Sequence, residues 1–219
     1  MRQTLWASLI LASTWISPAE GQQAGAGHPG RRSLMPRPEE IALARSAAPA
    51  SVSDSARVLV FTDSGYVTAE PGTTGVTCLV NRSWPNALEP ECFDTEAALT
   101  IMPMEVRRTE LYHRGVPIPE VERDISSGLT DGRYRLPNRL AVVYMMSAGQ
   151  QLIGDDGKPA GHWRPHLMIY YPFLTNDAVG HHGEPEMSGG LVVDSGRPTA
   201  NLMVVVPAFV PVRKGEGGR

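Results

Sequence analysis

TEAALTIMPMEVRRTELYHRG, residues 95–115, and PIPEVERDISSGL, residues 117–129, interrupt a chain whose first and last thirds are β-rich. The first is made of helix formers, sets Glu110 four residues before Arg114, and meets a helix stop at Gly115. Pro103 lacks a backbone donor and so breaks or restarts that helix. The second puts Ile118, Val121, Ile125 and Leu129 on one face and turns Glu120, Glu122, Arg123 and Asp124 away from it. That spacing predicts an amphipathic helix resting on an apolar surface.

Working outward, ARVLVF (56–61) and YVTAE (66–70) flank Thr62-Asp63-Ser64-Gly65, a turn composition that predicts a hairpin. PGTTG (71–75) then leads into VTCLVNR, a third strand carrying Cys78. After the helices, LAVVYMMS (140–147) and PHLMIYYPF (165–173) flank a polar loop containing Gly154-Asp155-Asp156-Gly157 and read as a long-looped hairpin. GLVVDSG and TANLMVVVP (190–207) form another pair, and the two-sided apolar run NLMVVVP predicts a covered central strand. Strands, then helices, then strands predict an α+β fold: a mostly antiparallel sheet with two or three helices inserted mid-chain, in a single domain over 39–213.

The chain begins with one arginine, an apolar run from Leu5 to Ile16, Pro18, and small residues at Ala19 and Gly21. This is the layout of a signal peptide over 1–21, with an apolar run too short to span a bilayer. Its removal takes away Arg2 and Glu20, so the formal charge of −3 is unchanged. Residues 22–38, rich in Gly, Pro, Gln and Arg, read as a disordered leader, and 214–219 as a flexible tail. A near-neutral balance with pI about 6.1 carries no electrostatic footprint for nucleic acid or an anionic membrane. The expected setting is periplasmic or secreted, with no stable membrane insertion after cleavage. The two cysteines, Cys78 and Cys92, are an even pair in an exported chain and so predict a disulfide.

Four of the six histidines fall in GHWRPHLMIYYPFLTNDAVGHHGEPEM, residues 161–187. His162 and His166 stand at helical ligand spacing, but Pro165 between them enforces extended backbone, where four residues span roughly 13 Å, so these two alone do not grip one metal. Period-two alternation sets His166, Met168 and Tyr170 on one face of the strand, a line of imidazole and phenol suited either to acid/base work or to ordinary buried hydrogen bonding. In the loop that follows, Asn176, Asp177, His181, His182 and Glu184 are candidate ligand-binding residues. A divalent ion at His181 and His182 would suit that composition, yet no known ligand spacing supports it, and no cofactor is assigned.

A nucleophile reading rests on Cys92, which precedes a helix whose N-cap is Asp94 or Thr95 and which would face His166 as base, with Tyr170 nearby. The disulfide competes with it, since such chemistry needs a free thiol. Asn81-Arg82-Ser83 fits the N-glycosylation pattern. Trp84, Trp163, Tyr170, Tyr171 and Phe173 read as core and hairpin packing, with a carbohydrate or peptide platform as the alternative.

Segments 65–82, 92–103, 131–147 and 164–180 together resemble a group of uncharacterised exported bacterial proteins. The resemblance implies a bacterial, periplasmic or secreted setting and carries no activity, partner or site residue. The functional expectation is a binding module for a small ligand or cell-envelope component. Its alternative is a thiol hydrolase, of amidase or esterase type, using Cys92 and His166.

Overall fold

The computed structural model describes residues 34–84, 86–154, 158–181 and 190–213. Along the chain come helix α1 (Arg37–Arg45), a single turn α2 (Ala50–Ser53), and strands β1 (Arg57–Thr62), β2 (Gly65–Glu70), β3 (Thr77–Asn81) and β4 (Ala87–Phe93). Helices α3 (Thr95–Thr100), α4 (Met102–His113) and α5 (Ile118–Thr130) follow, and then strands β5 (Ala141–Met145), β6 (Gln151–Ile153), β7 (Pro159–Gly161), β8 (His166–Tyr170), β9 (Leu191–Val193) and β10 (Asn201–Val205). The strands join in the order β2-β1-β3-β4-β5-β8-β10-β9, with β6 and β7 attached to the start of β4. Every pairing is antiparallel except β1 with β3. This is the α+β architecture with a mostly antiparallel sheet.

Local chemistry explains the mid-chain helices. Asp94 caps α3, its carboxylate accepting the Ala97 N–H at 2.7 Å. Pro103 falls in the first turn of α4, where its missing N–H removes no helical bond, so the chain restarts there instead of continuing α3. In α5, Val121 and Ile125 are buried while Glu120, Glu122 and Arg123 face solvent.

Paired residues in a ladder share a face, and the registers therefore sort the whole sheet. Cys78, Val80, Cys92 and Tyr144 lie on one face, packed with Leu43, Ala44, Ala47 and Ala48 from α1 and the turn after it. The run of alanines lets α1 approach closely, and the Ala47 carbonyl takes the Met146 N–H at 2.9 Å. Leu79, Phe93, Val143, Met145, Met168 and Tyr170 lie on the other face, packed with Ala97, Ile101 and Met104 of the α3–α4 region. Cys78 and Cys92 stand directly opposite each other in the β3–β4 ladder and form a disulfide, S–S 2.01 Å.

Several expectations need correction. Helix α1 was not foreseen, and it takes in Arg37 and Pro38, at the end of the stretch expected as leader. Strand β4 and the small β6–β7 hairpin were missed, the latter inside the expected polar loop. Strand β10 is not a covered central strand: it lies next to the sheet edge, and Leu202 to Val205 are only half-buried, because the helices pack chiefly on β1 to β5. Residues 1–33 and 214–219, expected as signal, leader and tail, lie outside the described residues. No helix among the described residues is long and apolar enough to cross a membrane.

Candidate functional site

Strand β4 alternates. Leu88, Pro90 and Cys92 fall on the α1 side of the sheet, while Glu89 and Glu91 fall on the same face as Leu79, Asn81 and Phe93, the face under α4. Both glutamates are buried, at 5% and 4% exposure. Asn81 donates its amide to Glu91 Oε2 at 3.0 Å, and Thr109 of α4 donates to Asn81 Oδ1 at 3.2 Å, so β3, β4 and α4 are stitched through one side chain. The indole of Trp163, in the loop between β7 and β8, donates to Glu89. Trp163 itself is 39% exposed.

From α4, Glu105 adds a third carboxylate. Arg108 gives Nη1 to Glu105 at 2.7 Å and Nε and Nη2 to Glu122 of α5 at 3.1 and 3.2 Å. The guanidinium is therefore engaged on the helix side, and the donors reaching Glu89 and Glu91 are neutral. Burial pushes the Glu89 carboxyl up to about 7, and the negative charge of Glu105 adds to the shift. Glu91 is raised further, first by burial and then by Glu89 and Glu105, against the opposing Asn81 hydrogen bond. Tyr170 shares this face, its hydroxyl 3.6 Å from Met168 Sδ, and burial with Glu105 and Glu91 holds its phenol protonated.

Gln150 completes the edge of the cluster. Gln150 directly precedes β6, whose Gln151 pairs with Leu88, the neighbour of Glu89 on β4. The Gln150 amide nitrogen donates to the Trp163 carbonyl at 2.6 Å. Its Oε1 is buried with no hydrogen-bond partner among the described residues.

The residues expected from sequence are distributed differently. Cys92 is fully buried, bonded to Cys78, and shares its face with Tyr144 and Leu167; His166 is the next residue along and points to the opposite face. The sheet separates them. His166 gives Nδ1 to the Arg164 carbonyl at 2.7 Å, and burial lowers its pKa despite that bond. His166 and Tyr170 do share a face, as the alternation predicts, but each is bonded elsewhere. Asn176 is spent on structure: its amide brackets Val192 of β9, donating to the carbonyl at 3.2 Å and accepting the N–H at 2.9 Å. Asp177 opens a short 3-10 turn and the His181 N–H bonds the Asn176 carbonyl at 2.9 Å. His182 and Glu184 lie outside the described residues, as does Asp155-Asp156-Gly157.

Two further motifs change meaning. Asn81, the asparagine of the glycosylation pattern, is 1% exposed with its amide committed to Glu91, which leaves no room for a glycan on the folded chain. Of the five aromatics read as packing, Trp84, Trp163, Tyr171 and Phe173 are exposed and only Tyr170 is buried. No group of three or more His, Cys, Asp or Glu among the described residues is arranged to hold a metal. An open depression lined by Ser126, Ser127, Thr130 and Asp131 of α5 and its end shares no residue with the carboxyl cluster.

No protein-family model matches the chain, and neither a curated protein nor a solved structure matches it. Glu89 and Glu91 were not among the residues expected from sequence; the signal that could have found them is the period-two alternation of charge with apolar residues in LEPECF.

Proposed function

We propose that this protein is a binding module for a small ligand, working in a periplasmic or secreted setting, with its site at the Glu89–Glu91 carboxyl pair beneath Trp163. The observation that carries the reading is a pair of buried carboxyls on one face of β4, Glu91 bonded by Asn81 and Glu89 beside the exposed loop residue Trp163. Binding sites characteristically combine a few converging polar groups with an apolar surround and perturbed acidities. Here Met145, Met168 and Phe93 supply the apolar surround on the same face.

The signal-peptide layout and the disulfide support the exported setting. No observation favours the thiol-hydrolase reading, whose nucleophile is bridged and whose base is across the sheet.

The test is a thermal-shift screen of the mature chain against small metabolites and envelope sugars, repeated on E89Q. A stabilising compound whose effect is lost in E89Q supports the site. One whose effect survives in E89Q places the binding elsewhere, and a silent screen removes the reading.

A further inference from the structure

Resting on that reading, we propose that the ligand presents an ammonium group, a charged N–H donor that replaces the Trp163 indole on Glu89 and supplies the donor that Gln150 Oε1 lacks. The first support is the charge balance. Glu89 and Glu91 receive their hydrogen bonds from the neutral donors Trp163 and Asn81, while Arg108 is held by Glu105 and Glu122. When either buried carboxyl ionises, its charge has no cation bonded to it among the described residues, an arrangement that burial makes costly.

The second support is independent of charge. Gln150 is 3% exposed and its Oε1 is buried with no partner among the described residues. An amide oxygen accepts and does not donate, so only a donor group relieves it. A carboxylate or phosphate ligand would add acceptors to a site that already has too many. A hydroxyl would satisfy Gln150 and leave the charge uncompensated. An ammonium brings both the positive charge and the N–H donors.

The third is mechanical. Trp163 already puts an N–H donor on Glu89, and it belongs to an exposed loop between β7 and β8. Exchange of one donor for another therefore displaces a surface side chain and leaves the sheet intact.

Proton and ammonium then compete for Glu89. The ionisable groups around it are Glu91 on its own strand, Glu105 and Arg108 on α4, Glu122 on α5 through Arg108, and His166 and Tyr170 on β8. With the Glu89 carboxyl titrating near 7, binding tightens about tenfold between pH 6 and pH 8, and the proton released on binding falls from about 0.9 at pH 6 to about 0.1 at pH 8.

Calorimetric titration of the full mature chain with three probes tests this: putrescine, which has charge and donors; 1,4-butanediol, which has donors alone; and tetramethylammonium, which has charge alone. Putrescine is expected to bind, the other two to bind at least tenfold more weakly, and E89Q to lose both the affinity for putrescine and its pH dependence. W163F, which keeps the ring and removes no charge, is expected to retain or tighten binding. Equal binding of butanediol and putrescine, or putrescine affinity unchanged in E89Q, overturns the ammonium proposal. If putrescine fails while another compound from the screen binds in a Glu89-dependent way, the ammonium proposal falls and the site stands. If nothing binds, both fall.

Discussion

Cys92 and His166 lie on opposite faces of one sheet, linked through the registers Cys92 to Tyr144 and Tyr144 to Leu167. Because the side-chain period of a strand is two, a one-residue offset is enough to put a layer of backbone between two groups. The disulfide joins Cys92 to its ladder neighbour Cys78 on the α1 side.

Native protein is therefore expected to take up no iodoacetamide until a reductant is added, by intact mass. The sequence separation of 14 is close to the case for which chain-entropy reasoning assigns about 3 kcal/mol. The double variant C78A/C92A is expected to lose about 2–4 kcal/mol in urea unfolding and to keep its circular dichroism at 20 °C. A loss well under 1 kcal/mol would mean that the unfolded chain holds these strands together without the bridge.

The buried carboxyl of Glu89 sets a pH dependence of definite sign. Its folded pKa is raised from 4.5 to about 7, so the folded state binds the proton more tightly than the unfolded chain does. Its stabilising contribution is complete below about 4.5 and is lost as pH rises through about 7. E89Q, which keeps the shape and stays neutral, is expected to be more stable than the native sequence at pH 8, by on the order of 1–3 kcal/mol, and indistinguishable from it near pH 4.5. Urea midpoints across pH 4.5–8.5 read this directly. A difference that grows toward acid would reverse the assignment.

Asn176 offers a stability prediction where the sequence suggested a ligand contact. Its side-chain amide pairs with both backbone groups of Val192, acting as an extra rung on β9. N176A leaves that half-buried backbone pair without protein partners, and N176D supplies an acceptor but no donor. Expected losses are about 1–2 kcal/mol for alanine and a similar loss for aspartate, with faster hydrogen exchange at the Val192 amide. If N176A is neutral in stability and instead abolishes binding of a compound from the screen, Asn176 belongs to the site.

The division into strands, helices and strands was legible because each region keeps one hydrophobic period: two around Val58 and Ile169, and the helical one from Ile118 to Leu129. The alternation that put His166 and Tyr170 on one face was legible for the same reason. Strand β4 was not, since Pro90 lacks a ladder donor and Glu89 and Glu91 remove the usual β-branched signature. Nor does any local pattern show that α4 lies over those glutamates, because the contact joins β4 to a helix beyond Asp94. The parallel pairing of β1 with β3 was equally hidden: β2 itself provides the return path, a feature of topology that leaves no mark on either strand.

The Glu40–Arg82 pair is the second buried charge system, and its energetics are expected to differ from those of Glu89. Glu40, from α1, is 0% exposed and Arg82, just past β3, is 2% exposed; Arg82 Nη1 lies 2.8 Å from Glu40 Oε1. The same carboxylate oxygen accepts the Phe61 N–H at 3.0 Å, and Arg82 also donates to the Val80 carbonyl at 2.7 Å, so the pair ties α1 to β1 and β3. Removing one partner strands the other charge in the interior, and E40A and R82A are each expected to cost about 3–5 kcal/mol. The joint replacement E40L/R82M removes both charges and keeps most of the volume, so its cost is expected to fall well below the sum of the two single losses. A double-mutant cycle in urea measures this coupling. Additive losses would mean that each side chain acts through its own backbone contacts, Glu40 on Phe61 and Arg82 on Val80, with the ion pair itself contributing nothing.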